Sequence, residues 1–327
     1  MSVGVVRCLV AAVGAMAATS RARAVAGAAV ASTDGSVLDP LIGDRARWNR
    51  TNHRGEPVSM LEGPATMAGL LVGGILGAPS ARVALGATVA TAGGGAFGLV
   101  DDLTEDTTTR TKGLRGHLGA LVHGELTTGG LKVLGISASA LVAAAIVTPT
   151  TVEPTRVTPD SARRGAVGWV FDVTTSGALI AASANLLNLL DLRPGRALKA
   201  SSLAAVPLVL VGGTGAGLAA AVIGAGAGAA PGDLAERDML GDSGANALGA
   251  LLGTAAVLGA RRGLRLALLA GAVALTVASE RISFTKVIAA TPVLRELDAW
   301  GRRPVPAPGS GSGSGSADSA SAADLTS

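Results

Sequence analysis

Three short stretches of this 327-residue chain place carboxylates or carboxamides where an apolar run ends or begins. Asp101-Asp102 follows directly on Gly98-Leu99-Val100, with the basic group Thr109-Arg110-Thr111-Lys112-Gly113 just beyond. Adjacent carboxylates near cations at a membrane boundary suit magnesium and phosphate, because magnesium takes one or two protein carboxylates plus substrate phosphates. A solvated loop start is the plainer alternative for this pair alone. Asn185-Leu-Leu-Asn188-Leu-Leu-Asp191 spaces polar groups at i, i+3 and i+6, a single polar stripe if the segment is helical. Those asparagines could equally satisfy buried backbone or one another. Leu240-Gly241-Asp242-Ser243-Gly244 puts an acid in a glycine turn that opens a helix, where free amides favour an anion. Gly-Asp-x-Gly is common, so this stretch gains meaning only beside the other two.

The elements that must position these residues are apolar helices. Charged residues make up 15% of the chain, against roughly 25% in soluble domains, while 49% are hydrophobic and 47 are glycine. Aromatic residues are 2%, so the apolar mass lies in small side chains that let helices approach closely in lipid. The net charge of +4 does not indicate nucleic-acid binding, because the basic residues alternate with apolar runs instead of clustering on a polar surface. Cys8 is the only cysteine, which excludes disulfides, zinc ribbons and redox pairs within the chain. His53, His117 and His123 are the only histidines, little material for a zinc enzyme.

Spanning a bilayer takes about 20 mostly apolar residues. The runs predict two helices over 63–100 joined near Pro79-Ser80, then helices over 133–148 and 165–184. Two passes over 203–232 follow, with a turn at Gly212-Gly213-Thr214-Gly215, and two more over 243–260 and 264–279 hinge at Arg261-Arg262-Gly263. A run over 9–19, flanked by Arg7, Arg21 and Arg23, reads as a retained helix, with a signal peptide as the alternative. The expected fold is all-α, a polytopic bundle of about nine transmembrane helices over 1–303. A Gly/Ser/Ala-rich tail over 304–327 is expected to be disordered. Parity puts the polar stretches 38–62, 101–117, 185–200, 233–242 and 280–303 on one side. They hold 16 of the 27 Lys and Arg, against 7 in the opposite turns, so the positive-inside rule places them in the cytoplasm.

Taken in order, these segments resemble the polyprenyl-phosphate N-acetylhexosamine-1-phosphate transferase family, which includes the phospho-N-acetylmuramoyl-pentapeptide transferases. The resemblance runs from about Asn49-Arg-Thr-Asn-His53-Arg-Gly55-Glu-Pro-Val58 to the 280s. It implies a magnesium-dependent transferase of the bacterial plasma membrane with its cleft on the cytoplasmic face. In such an enzyme a polyprenyl phosphate attacks the β-phosphate of a UDP-amino sugar and UMP leaves. By motif, Asp101 and Asp102 would orient or deprotonate the lipid phosphate, and Asp242 with Asp191 would hold the metal. Lys112 would contact phosphate, and Asn188, with Asn185 behind it, would line the nucleotide pocket. Homodimers are common in the family, and the small-residue helix faces permit one.

The chain departs from the family in three places. The asparagine motif continues Asp191-Leu192-Arg193-Pro194-Gly195-Arg196, without the second acid and with two arginines. The late histidine-rich loop is replaced by Glu280-Arg281-Ile282-Ser283-Phe284-Thr285-Lys286, where Arg281, Ser283 and Lys286 could bind a pyrophosphate or could be a solvated basic loop. Nothing after Arg303 is apolar enough for a further span. These departures keep a second expectation in view, a non-catalytic relative that binds lipid-linked intermediates or scaffolds envelope assembly. Solute transport ranks lower, because it needs mid-membrane polar groups in several helices and Asp172 alone offers one.

Overall fold

The computed structural model describes residues 2–31, 44–52, 54–104, 127–149 and 165–304. Lys112, the three histidines, the basic stretch 109–113 and residues 305–327 of the tail lie outside the described residues.

Each apolar run forms a helix where its breakers allow. Helix α1 (Val3–Ala31) extends well beyond the short run at 9–19; on the C-terminal side the alanines from Ala22 to Ala31 continue it past Arg21 and Arg23. Helices α2 (Glu62–Gly77) and α3 (Ala81–Thr104) break at Pro79-Ser80, and Ser80 Oγ accepts from the Val83 amide at 3.3 Å. Next come α4 (Thr128–Val147), capped by Thr127 Oγ1 on the Gly130 amide, and α5 (Ala166–Leu190). Helices α6 (Arg196–Val211) and α7 (Ala216–Asp233) are separated by Gly212 and Gly213, both at positive φ. Helices α8 (Gly241–Gly259) and α9 (Arg262–Ser279) turn at Arg261. Beyond the expectations drawn from the runs, the 280–303 stretch holds two short helices, α10 (Phe284–Ala290) and α11 (Pro292–Ala299). A hairpin of β1 (Asn49–Thr51) and β2 (Pro57–Ser59) also forms, paired antiparallel with Arg50 opposite Val58.

Among the described residues, five helices are long and apolar enough to cross a membrane: α1, α3, α4, α5 and α9. At 1.5 Å per residue, the 16-residue α2 and α6 rise about 24 Å, short of a hydrocarbon core of about 30 Å. Helix α8 is the centre of the bundle, with nearly all its residues buried against α2, α3 and α5.

Glycine sets how closely the helices meet. A Cβ on Gly73 would stand 2.6 Å from Ala15 Cβ, 2.8 Å from Ala221 Cβ and 2.9 Å from the Ala11 carbonyl, so α1, α2 and α7 touch almost backbone to backbone. On α3, a Cβ at Gly94 would lie 2.8 Å from the Asn246 carbonyl, and one at Gly98 would lie 2.8 Å from the Ser243 amide. On the other flank, a Cβ at Gly253 of α8 would lie 2.8 Å from Ile180 Cα of α5. Residues one or two turns beyond these contacts therefore meet at the first turn of α8.

Candidate functional site

That meeting point brings together most of the acids singled out in the sequence. Gly94, Gly98 and Asp102 repeat at i, i+4 and i+8, so the face of α3 pressed on α8 ends in a carboxylate. Both Asp102 oxygens accept from the free amides of α8, Oδ1 from Asp242 at 3.0 Å and Oδ2 from Ser243 at 2.9 Å. The donors expected to attract a phosphate are thus already taken by a side chain. Asp102 acts as a cap supplied from another helix, favoured by the positive end of the helix dipole. Gly241 adopts φ +59°, the left-handed conformation that aims its neighbours' amides at Asp102.

Asp101 points elsewhere. Its Oδ2 accepts from Lys132 Nζ at 2.8 Å, and the same ammonium donates to Asp242 Oδ2. With the Asn188 amide turned to match its neighbours, its nitrogen donates to Asp242 Oδ1 at 2.8 Å and its oxygen accepts from Lys132 Nζ at 3.2 Å. Four helices, α3, α4, α5 and α8, therefore each place one side chain on a single charge cluster. These side chains are only partly buried, between 16% and 25% exposed for the three charged ones, so the cluster opens to solvent.

Ala184, Asn188 and Asp191 lie on one face of α5 and its end, which brings Asp191 to the same turn. Asp191 accepts from the Gly241 amide. Burial pushes its carboxyl well above the usual carboxylate range, and Asp233, Asp242 and Asp102 nearby push in the same direction. The hairpin secures the opposite flank, where Arg50 Nη2 donates to the Asp102 carbonyl at 2.6 Å.

Lys132 is the functional candidate that the sequence reading passed over. Its signal was present: it is the only ionisable residue between Glu125 and Glu153, immediately before the apolar run 133–148. Other expectations land differently. Asn185 Nδ2 donates to Thr276 Oγ1 at 3.1 Å, so it faces α9 and lines a cavity beside Lys132 instead of meeting the carboxylates. Arg281, on the α9–α10 connection, and Lys286, within α10, are both exposed. Asp172 is fully buried at the far end of α5, in a two-pronged pair with Arg262 at 2.7 and 2.6 Å, with Arg265 3.7 Å away. That contact ties α5 to α9 and gives this buried acid a structural partner.

A cavity of about 280 Å³ runs from Lys132 between α4, α5 and α9. Val133, Ile136, Ala181, Val273 and Val277 supply apolar walls, while Lys132 and Asn246 stand among its polar groups. Asn246 is anchored by a 2.7 Å bond to the Asp242 carbonyl, so the cavity and the charge cluster share the first turn of α8.

Magnesium can be tested against this donor set. Among the described residues, no group of three or more His, Cys, Asp or Glu side chains is arranged to hold a metal ion. Two carboxylates, Asp101 and Asp242, converge on one cation, the Lys132 ammonium, and two carboxylates with substrate phosphates are enough for magnesium. No protein-family model matches this chain, and no curated protein matches it significantly.

Proposed function

We propose that the protein is a multi-pass membrane transferase that moves a sugar 1-phosphate from a UDP-sugar to a polyprenyl phosphate, releasing UMP. The observation that carries this reading is the joining of a carboxylate–lysine cluster to an apolar cavity at one end of the bundle. A lipid phosphate requires this combination, a cation for its head beside an apolar channel for its chain. Counting α1 to α9 as nine passes, the short α2 and α6 included, parity and the positive-inside rule would turn the basic end of the bundle to the cytoplasm, where nucleotide sugars are made.

Lys132 would hold the lipid phosphate at the cavity mouth, having first exchanged its carboxylate partners for the incoming anion. Asp101 and Asp242 would then face the pyrophosphate and hold magnesium, which supplies charge neutralisation of the pyrophosphate. Asn188, bridging Asp242 and Lys132, keeps both in register. Asp102 and Asp191 build the platform by fixing the start of α8. Phosphoryl transfer depends on positioning and electrostatics, so a site of few residues on rigid helix ends suffices. The product would feed a cell-envelope polymer.

One observation favours a second reading. The Lys132 ammonium already stands between Asp101 and Asp242, so each carboxylate has a cationic partner without a metal. That suits a relative that binds a lipid-linked intermediate without turnover. Membranes containing the protein, supplied with magnesium, polyprenyl phosphate and a panel of radiolabelled UDP-sugars, separate the two. Lipid-soluble label that disappears in Asp242→Asn supports the transferase, and no label from any sugar with folded protein supports the binding reading.

A further inference from the structure

A second basic region lies beyond the charge cluster, at the same end of the bundle. Arg193, Arg196, Arg295, Arg302 and Arg303 line a pocket of about 330 Å³ whose one carboxylate is Asp298. Asp298 is fully engaged, receiving Arg196 at 2.7 and 3.2 Å and Arg302 at 2.9 Å, and Arg303 pairs with Glu56 at 2.6 Å. Among the described residues, Arg193 and Arg295 have no side-chain partner, and both are exposed. The pocket thus carries more positive charge than the described residues neutralise.

The pocket adjoins a groove of about 460 Å³ between α5, α6, α9, α10 and α11, and Arg196, Ile288 and Asp298 belong to both. Leu203, Leu275, Ile282, Val287, Leu294 and Leu297 line the groove, and each leaves at least two-fifths of its surface exposed. Lys199 stands at the groove wall and donates to the Asp298 and Trp300 carbonyls, tying α11 to α6 and holding the groove in shape. This groove is separate from the cavity at Lys132, which lies between α4, α5 and α9.

We propose that the arginine pocket and the apolar groove together bind a membrane lipid with an anionic phosphate headgroup, its phosphate on Arg193 and Arg295 and one chain along the groove. Charge complementarity selects the head, because the guanidinium forks of Arg193 and Arg295, exposed and without a side-chain partner among the described residues, match phosphate in geometry as well as sign. The groove selects a lipid over a soluble phosphate, because its apolar walls run from the pocket between membrane-spanning α5 and α9. Basic pockets between membrane helices bind acidic lipid heads on these grounds. The site shares no residue with the carboxylate–lysine cluster and stands or falls without it.

Photolabelling of the full chain in neutral detergent tests this, using phosphatidic acid with a diazirine in its acyl chain and phosphatidylcholine of the same tails. Phosphatidic acid is expected to label the α6, α9 and α11 segments of the groove in wild-type protein, and phosphatidylcholine to label them weakly. The double variant Arg193→Gln/Arg295→Gln is expected to lose about 30-fold in affinity, two basic side chains each worth about fivefold. Both side chains are exposed, so the variant should fold, and gel filtration checks that it does. Asp242→Asn should label as wild type, which separates this site from the transferase cluster. Equal labelling by phosphatidylcholine, full affinity in the double variant, or complete displacement of the lipid by millimolar inorganic phosphate would each overturn the proposal.

Discussion

Replacing Lys132 by methionine removes the one cation between Asp101 and Asp242 while keeping a side chain of similar length and flexibility. At an effective dielectric of about 20, two unit charges 2.8 Å apart attract by about 6 kcal/mol before desolvation is counted. Removing one partner of a buried pair typically costs about 3–5 kcal/mol, chiefly through the charge left behind. Partial exposure of all three side chains lets water screen that charge, which lowers the expected loss to about 2–3 kcal/mol. The assay is equilibrium unfolding in mixed micelles for Lys132→Met, Asp242→Asn and the double variant. Because both residues belong to one cluster, the double variant should be more stable than the sum of the single losses by about 1–2 kcal/mol. Magnesium adds a second readout. With the ammonium gone, the two carboxylates are left facing one cation position, and magnesium at about ten times its Kd should restore about 1.4 kcal/mol to Lys132→Met. Strictly additive losses, together with no magnesium effect on Lys132→Met, would refute the shared cluster.

Three further outcomes can be checked. Asp102→Asn keeps one acceptor oxygen but loses the charged cap on two α8 amides, so it should destabilise by about 1–2 kcal/mol in the same unfolding assay while retaining more transfer activity than Asp242→Asn. Gly73→Val pushes new carbon into Ala15 and Ala221, and should lower stability by about 1–3 kcal/mol by separating α1 from α2 and α7; an unchanged unfolding midpoint would contradict that packing. Partial burial raises the Asp298 carboxyl, but hydrogen bonds from Arg196 and the charges of Arg196, Arg302 and Lys199 outweigh it and hold the group below its usual value. A depressed carboxyl contributes stability above its unfolded pKa of about 3.9 and loses it as pH falls through the lower folded value. Trp300 emission, in a variant with Trp300 as its only tryptophan, should therefore stay constant down to about pH 4 and change only below it.

Breakers and apolar length made the helical skeleton legible in the sequence. Pro79-Ser80, Gly212-Gly213 and Arg261 each stand where a helix ends, because local backbone chemistry decides such points. The ends of the helices were less legible. Residues 128–132 and 185–190 are helical because they pack on neighbours, although their composition had marked them as boundaries. Asp101, Asp102, Asn188, Asp191 and Asp242 stood out as polar groups at the ends of apolar runs, and they do meet around one turn of α8. What each carboxylate touches could not be read from spacing, because adjacent Asp101 and Asp102 diverge on α3, one to an ammonium and the other to two amides. Lys132 was missed because a lone lysine near the end of an apolar run looks like an interfacial anchor until α5 and α8 close over it. The arginine pocket was equally hidden, since its five members come from segments a hundred residues apart that only the folding of α11 onto α6 unites.

The most direct measurement of the proposed chemistry is UMP release by purified protein in detergent, with polyprenyl phosphate, magnesium and each UDP-sugar in turn. Release that requires both lipid and magnesium with at least one sugar, and falls 100-fold or more (about 2.7 kcal/mol or more) in Lys132→Met and in Asp242→Asn, is the predicted result. Folded protein that releases no UMP with any sugar, or that releases it equally well in both variants, would contradict it.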